Sequence, residues 1–157
     1  MSTNPAAGLI KCLGLFILRK VIFFPEDVDK FLQMPDGERY RVFRHVRIKR
    51  KKLPEALFII RFQLKEMDPK TNERFSRLPM LVFMGFRGFY EKYWGVQDES
   101  GKCQGVYYWQ RYEDALAYSR SIAVKFMTRR SLPGSVNFEV HKLPAGSPHY
   151  ELKEEPK

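Results

Sequence analysis

The stretch "FYEKYWGVQDESGKCQGVYYWQ", residues 89–110, decides how this chain folds. Phe89, Tyr90, Tyr93 and Trp94 precede the connection DESGK, and Tyr107, Tyr108 and Trp109 follow it. Gly101 offers the positive φ that such a connection needs, so the stretch reads as a β-hairpin. A hairpin with one wet face alternates apolar and polar side chains. Here rings fall on both faces, so both must be covered. The chain's own helices are expected over one face and a second copy of the chain over the other.

The neighbouring segments supply those helices and two more strands. "ALFIIRFQLKE" (56–66) alternates as a strand, with Phe58, Ile60, Phe62 and Leu64 on one face and Leu57, Ile59, Arg61, Gln63 and Lys65 on the other. Residues 67–86 read as a helix capped by Asp68 or Asn72, and Pro79 kinks or restarts it. "RYEDALAYSRSIAVKFMTRR" (111–130) is the clearest helix, with acids in its first turn and arginines in its last. "SVNFEVHKL" (135–143) is the last strand, with Asn137, Glu139 and His141 on its polar face. The order strand–helix–strand–strand–helix–strand is the ferredoxin-like arrangement. Two helices cover one face of such a sheet and leave the other for a partner.

Residues 85–136 resemble the monooxygenase-like branch of the dimeric α+β barrel superfamily. The resemblance rests on Lys92 and Trp94 of a K-x-W strand and on Asp98, Glu99 and Gly101 of the turn. It continues through the strand "GVYYW" (105–109), the Ala- and Tyr-rich helix and the turn "RSLPGS" (130–135). It implies an α+β fold, a ferredoxin-like domain at 55–143 that forms a dimeric α+β barrel, with a pocket between sheet and helices. Some relatives oxidise aromatic polyketides without a cofactor and others degrade heme, using an Asn, a Trp and a Tyr or His. The pocket residues of the right type here are Arg61, Gln63, Trp94, Tyr107, Trp109, Asn137, Glu139 and His141. No catalytic residue is assigned among them. Heme would need His141 to face the pocket, and Arg61 opposite Glu139 would make a cross-strand ion pair.

The N-terminal third has a different character. The chain has 157 residues and a net charge of +10. Residues 1–54 hold 12 Lys/Arg against 5 Asp/Glu, so most of the excess lies there. "GLIKCLGLFILRKVIFF" (8–24) is interrupted by Lys11, Arg19 and Lys20, too often for a membrane span of roughly 20 apolar residues. It suits a helix lying in a membrane interface, with Leu13, Phe16 and Ile17 toward lipid, or a helix docked on a protein surface. "PEDVDKFLQ" (25–33) has helix-start chemistry. The run from 38 to 52, with Arg44, Arg47, Lys49, Arg50, Lys51 and Lys52, reads as a partner for anionic lipid and is undecided between helix and strand. Pro54 closes this region, and 144–157 reads as a polar extended tail.

Composition narrows the function. Cys12 and Cys103 are far apart and no Cys/His ligand cluster exists, so neither a zinc site nor a disulfide framework is indicated. A reducing cytoplasmic setting, peripheral at the inner face of a membrane, fits best. No P-loop, dinucleotide fingerprint or catalytic triad is present. The leading reading is a membrane-associated, homodimeric small-molecule protein, an oxygenase acting on an apolar aromatic substrate. The residues themselves call for no cofactor and no metal; heme enters through the resemblance alone. The alternative is a non-catalytic accessory subunit that docks on a complex through residues 1–54. An RNA-binding module with the same element order is disfavoured, because "KCQGVYYWQ" lacks the required aromatic motif.

Overall fold

The computed structural model describes residues 5–17, 20–65, 69–75, 77–144, 146–147 and 149–155. Its helices are α1 (Pro5–Ile17), α2 (Pro69–Phe75), α3 (Arg77–Met84), α4 (Tyr112–Ser119) and α5 (Ile122–Arg130). Its strands are β1 (Val21–Phe23), β2 (Phe31–Gln33), β3 (Arg39–Ile48), β4 (Ala56–Phe62), β5 (Phe89–Val96), β6 (Cys103–Trp109), β7 (Asn137–Lys142) and β8 (Leu152–Lys153). They form one eight-stranded sheet in the order β7-β4-β6-β5-β3-β2-β8, with β1 paired to β3 off that path. The segment β7-β4-β6-β5 is the expected ferredoxin-like unit, and every pairing in it is antiparallel.

The sheet does not stop at the expected boundary near residue 54. β3 lies beside β5, with Arg44 opposite Trp94 and His45 opposite Tyr93. The N-terminal third therefore extends the sheet instead of standing apart as an anchor. β5 becomes an interior strand, and all eight of its residues are buried. The expected helix at 25–33 is instead a single 3-10 turn, Pro25–Asp27, followed by β2. Asp29 takes φ 69° there, and its N–H donates to the carbonyl of Val42 at 2.8 Å. The long helix expected at 111–130 breaks at Arg120, and Ser121 caps a new one by accepting from the Val124 N–H at 3.4 Å.

The hairpin's two faces are covered within one chain. On one side Phe58, Ile60, Phe89, Trp94, Tyr107 and Trp109 pack under α3, α4 and α5. On the other, Tyr90, Tyr93, Val106 and Tyr108 pack with Leu32, Tyr40 and Val42 of the N-terminal strands. The C-terminal tail, expected to be an extended arm, completes this second layer through Tyr150 and Leu152, next to Leu143 at the end of β7. The Tyr150 N–H donates to the Tyr108 hydroxyl at 3.0 Å, and Leu152 pairs with Leu32 in β2. A twin subunit is therefore not needed to bury these rings. Tyr108 is 2% exposed in a single chain.

The α1 helix docks on the chain itself. A Cβ built at Gly85, after α3, would lie 1.6 Å from the carbonyl oxygen of Gly8. The two backbones thus touch without an intervening side chain. Leu13 is 52% exposed on the outer side of this helix. The other expected lipid-facing residues, Phe16, Ile17 and Arg19, lie outside the described side chains. Among the described residues no helix is long and apolar enough to cross a membrane. Replacing Gly85 with Ala is expected to separate α1 from α3 at a cost of ~1–3 kcal/mol. Hydrogen exchange should then rise in α1 while β5 and β6 stay protected; unchanged exchange in α1 would contradict the packing.

Candidate functional site

Two charged residues, Glu91 and Lys92, stand side by side in the interior strand. A bulge between Phe89 and Glu91 sets their direction. Lys92 lies on the helix-covered face and Glu91 on the tail-covered face. Glu91 is fully buried and Lys92 is 3% exposed, so neither charge is solvated.

Glu91 is surrounded by partners. The imidazole of His45 spans two carboxylates, with Nδ1 2.7 Å from Asp27 Oδ2 and Nε2 2.5 Å from Glu91 Oε1. Arg47 donates to Glu91 Oε1 at 2.7 Å, and the Tyr93 hydroxyl donates to it at 3.3 Å. His149 Nδ1 lies 2.5 Å from Glu91 Oε2, an ion-pair contact outside hydrogen-bond geometry. The ring of His45 stacks between Phe24 and Tyr93, and that of His149 stacks on Tyr108. Burial pushes the Glu91 carboxyl up, but contacts from His149, His45 and Arg47 outweigh it and hold the group at about 2. This network joins β3, β5, the 25–27 turn and the tail.

Lys92 has no such compensation. Its Nζ lies 4.0 Å from the Trp94 ring centroid, 4.1 Å from Tyr107 and 4.5 Å from Phe83 of α3. No carboxylate or hydrogen-bond acceptor among the described residues reaches it. Burial, helped by the nearby Arg44 charge, pushes its amine well below the usual lysine range. Arg44 stacks over Trp94 at 5.5 Å and donates to the Glu73 carbonyl at 3.0 Å. Tyr118 donates to the Tyr107 hydroxyl at 3.0 Å, and burial raises both phenols. The Trp109 ring stacks on Tyr107 at 6.5 Å, and its indole N–H is buried without a hydrogen-bond partner among the described residues. The Lys92 amine and the unpartnered indole N–H of Trp109 thus flank one tyrosine on this face.

The sheet divides the residues expected in one pocket. Trp94, Tyr107 and Trp109 come together around Lys92. Arg61 and Gln63 lie on the opposite face. Arg61 pairs with Asp36 at 2.5 Å and Glu38 at 3.2 Å and donates to Gln104 at 2.8 Å, and Gln63 donates to the Ser100 carbonyl. The expected Arg61–Glu139 pair is absent: Glu139 sits beside His141 at 2.7 Å instead. Asn137, Glu139 and His141 are exposed on the edge strand β7. Heme ligation by His141 does not fit, since that ring is outside the aromatic pocket and tied to Glu139. His45 and His149 are both committed to the Glu91 network on the other face. Among the described residues no group of His, Cys, Asp or Glu side chains is arranged to hold a metal ion.

The basic run expected to face lipid is an alternating strand and its exit. Arg44 and Arg47 turn inward to Trp94 and Glu91, and Arg41 pairs with Asp29, Glu73 and Asp98. Arg50 donates to the Phe89 carbonyl at 2.8 Å. Lys20, Lys49, Lys51 and Lys52 remain exposed. With Tyr90, Tyr93 and Tyr108 covered on one face and Trp94, Tyr107 and Trp109 on the other, the hairpin presents no exposed rings on which RNA bases could stack. Lys92 and Glu91 were missed as site residues. The signal was available in "FYEKYW": two charges inside a strand with apolar rings on both faces have no route to water.

No family model matches the chain, and no curated protein matches it in sequence. Solved structures do match its fold. A monooxygenase-like protein from Listeria innocua superposes with TM-score 0.55 and 13% identity over 73% of this chain and 69% of that one. A ferredoxin-fold protein from Listeria monocytogenes, related to antibiotic biosynthesis monooxygenases, gives TM-score 0.55 and 10% identity over 84% and 87%. A heme-degrading enzyme from Listeria monocytogenes gives TM-score 0.56 and 12% identity over 84% and 92%. The chain shares the ferredoxin-like α+β fold of these proteins.

The Glu91 network predicts an acid-labile contribution to stability. The folded carboxyl is depressed from 4.5 to about 2. Its stabilisation, on the order of 3 kcal/mol, is therefore complete above about pH 4.5 and is lost as pH falls toward 2. Denaturant melts of Glu91→Gln and the unaltered protein should differ most near neutrality and converge near pH 2. A gap that is independent of pH would refute the assignment.

Proposed function

We propose that this protein is a small-molecule oxygenase whose site is the aromatic box around Lys92, between the sheet and α3–α4. The carrying observation is the uncompensated amine: a buried lysine contacted by the rings of Phe83, Trp94 and Tyr107 and by no anion. A charged ammonium at that position calls for an anionic ligand, and a neutral amine calls for an acid. An aromatic substrate with an acidic C–H or O–H answers both. The rings provide stacking area, and the indole N–H of Trp109 provides a donor for a substrate oxygen. The likeness to monooxygenase-like proteins supports the same reading.

The chemistry needs no group beyond substrate, dioxygen and this lysine. The amine of Lys92 takes a proton from the substrate, and the ammonium then stabilises the resulting carbanion or enolate in a dry environment. The electron pair of the former C–H bond forms a C–O bond to dioxygen. The terminal peroxide oxygen takes the proton back from Lys92. The net change is R–H + O2 to R–OOH: the carbon is oxidised by two electrons and dioxygen is reduced to the peroxide level. Tyr118, donating to Tyr107, holds that phenol in place beside the amine.

The replacement Lys92→Met tests this. It removes the charge and keeps the length, so it should stabilise the fold by ~1–4 kcal/mol while abolishing oxygen uptake with enolisable aromatic ketones. An oxygen electrode reads the activity, and NMR of the dimethylated lysines reads whether Lys92 titrates below the ordinary range. Undiminished oxygen uptake in the variant, or an ordinary lysine titration, would remove Lys92 from the chemistry.

A further inference from the structure

A cavity of about 560 Å³ lies at the corner where α1, the end of α3 and the start of α4 meet, and it shares no residue with the Lys92 box. Five cations line it: Lys11 of α1, Arg50 and Lys52 beyond β3, Arg87, and Arg111 before α4. Its single acidic residue is Asp114. Two of these cations are already engaged, Lys52 with Glu55 at 3.0 Å and Arg111 with Glu113 at 3.6 Å. Lys11 and Arg87 have no carboxylate partner among the described residues. Arg50 uses its Nε on the Phe89 carbonyl, and burial lowers its guanidinium pKa, an effect that Asp114 partly offsets. The local charge is therefore positive after its internal pairs are counted.

The site also has a built polar wall. Asp114 is 5% exposed, and its Oδ2 makes no hydrogen bond among the described residues; Arg111 Nε stands 3.8 Å from it. Gly88, at φ 76°, keeps the space beside that oxygen open, because a Cβ there would lie 2.3 Å from it. A buried carboxylate oxygen without a donor, in a cavity where Lys11 and Arg87 have no carboxylate partner among the described residues, matches a ligand that carries both an anion and a hydroxyl.

We propose that this cavity binds a hydroxylated organic phosphate. Arg50, Arg87 and Lys11 hold the phosphate, and Asp114 Oδ2 accepts a hydrogen bond from the hydroxyl. Such a ligand arrives either as a soluble metabolite or as a lipid headgroup, and two arms of one experiment separate the sources. Calorimetry of the full-length protein with glycerol 3-phosphate reads the soluble arm. Sedimentation with phosphatidylcholine vesicles, with and without phosphatidylglycerol, reads the lipid arm.

Saturable binding in either arm, surviving added chloride at matched ionic strength, is the expected result. Arg87→Glu, on an exposed side chain that the fold does not need, should weaken it by ~10-fold or more. Methyl phosphate, which lacks the hydroxyl, should bind several-fold more weakly than glycerol 3-phosphate, and Asp114→Ala should erase that difference. Should Asp114→Ala fail to fold, Arg87→Glu and Lys11→Glu decide the matter alone. Absence of binding in both arms, or binding unchanged in Arg87→Glu, overturns the proposal; equal affinity for methyl phosphate overturns the role of Asp114.

Discussion

The pairing of β3 with β5 is the constraint on which the rest of the molecule depends. It turns the first strand of the central hairpin from an edge into an interior strand. Its backbone is then hydrogen-bonded on both sides, and helices and tail cover its two faces. Any charge on it must be neutralised inside the protein or remain uncompensated there. Glu91 and Lys92 take these two courses, one on each side of the same sheet.

The difference between them is informative. Glu91 binds together four separate segments, and its contacts with His45, Arg47 and His149 fasten the tail over the tyrosine-rich face. A buried polar network that joins several segments in this way favours one arrangement of the chain. Lys92 is an ionisable group buried without a counter-ion among the described residues. Perturbed ionisable groups of this kind cluster at functional sites. The rings around it soften the penalty through their quadrupoles, but a cation–π contact does not replace a counter-ion.

Much of the central unit was readable in the sequence. The hairpin, the first and last strands of the ferredoxin-like unit and the first half of the helix after the hairpin follow from periodicity of 2 and 3.6. The presence of rings on both hairpin faces correctly demanded two covers. What covers the second face was not readable. In 38–52 the apolar positions Tyr40, Val42, Val46 and Ile48 are diluted by arginines, a pattern shared by surface strands, basic helices and lipid-binding runs. Only the register against β5 reveals that Arg44 stacks on Trp94 and Arg47 meets Glu91. The tail hides Tyr150 and Leu152 among polar residues, and "PEDVDKFLQ" carries helix-start chemistry that the pairing of β2 with β3 overrides.

By itself the sequence determined the element types of the central unit, the need to bury both faces of its hairpin, and the chemical inventory of rings and cations. Those properties are local: they depend on spacing along one strand or helix. The tertiary structure alone decided that the chain roofs its own sheet, that the expected pocket residues are divided between two faces, and that Lys92 is buried without a partner. These are pairings between segments 30 to 60 residues apart or more, such as Arg47 with Glu91, 44 residues apart. Their energies come from which side chains meet across strands, and no window of local periodicity contains that information.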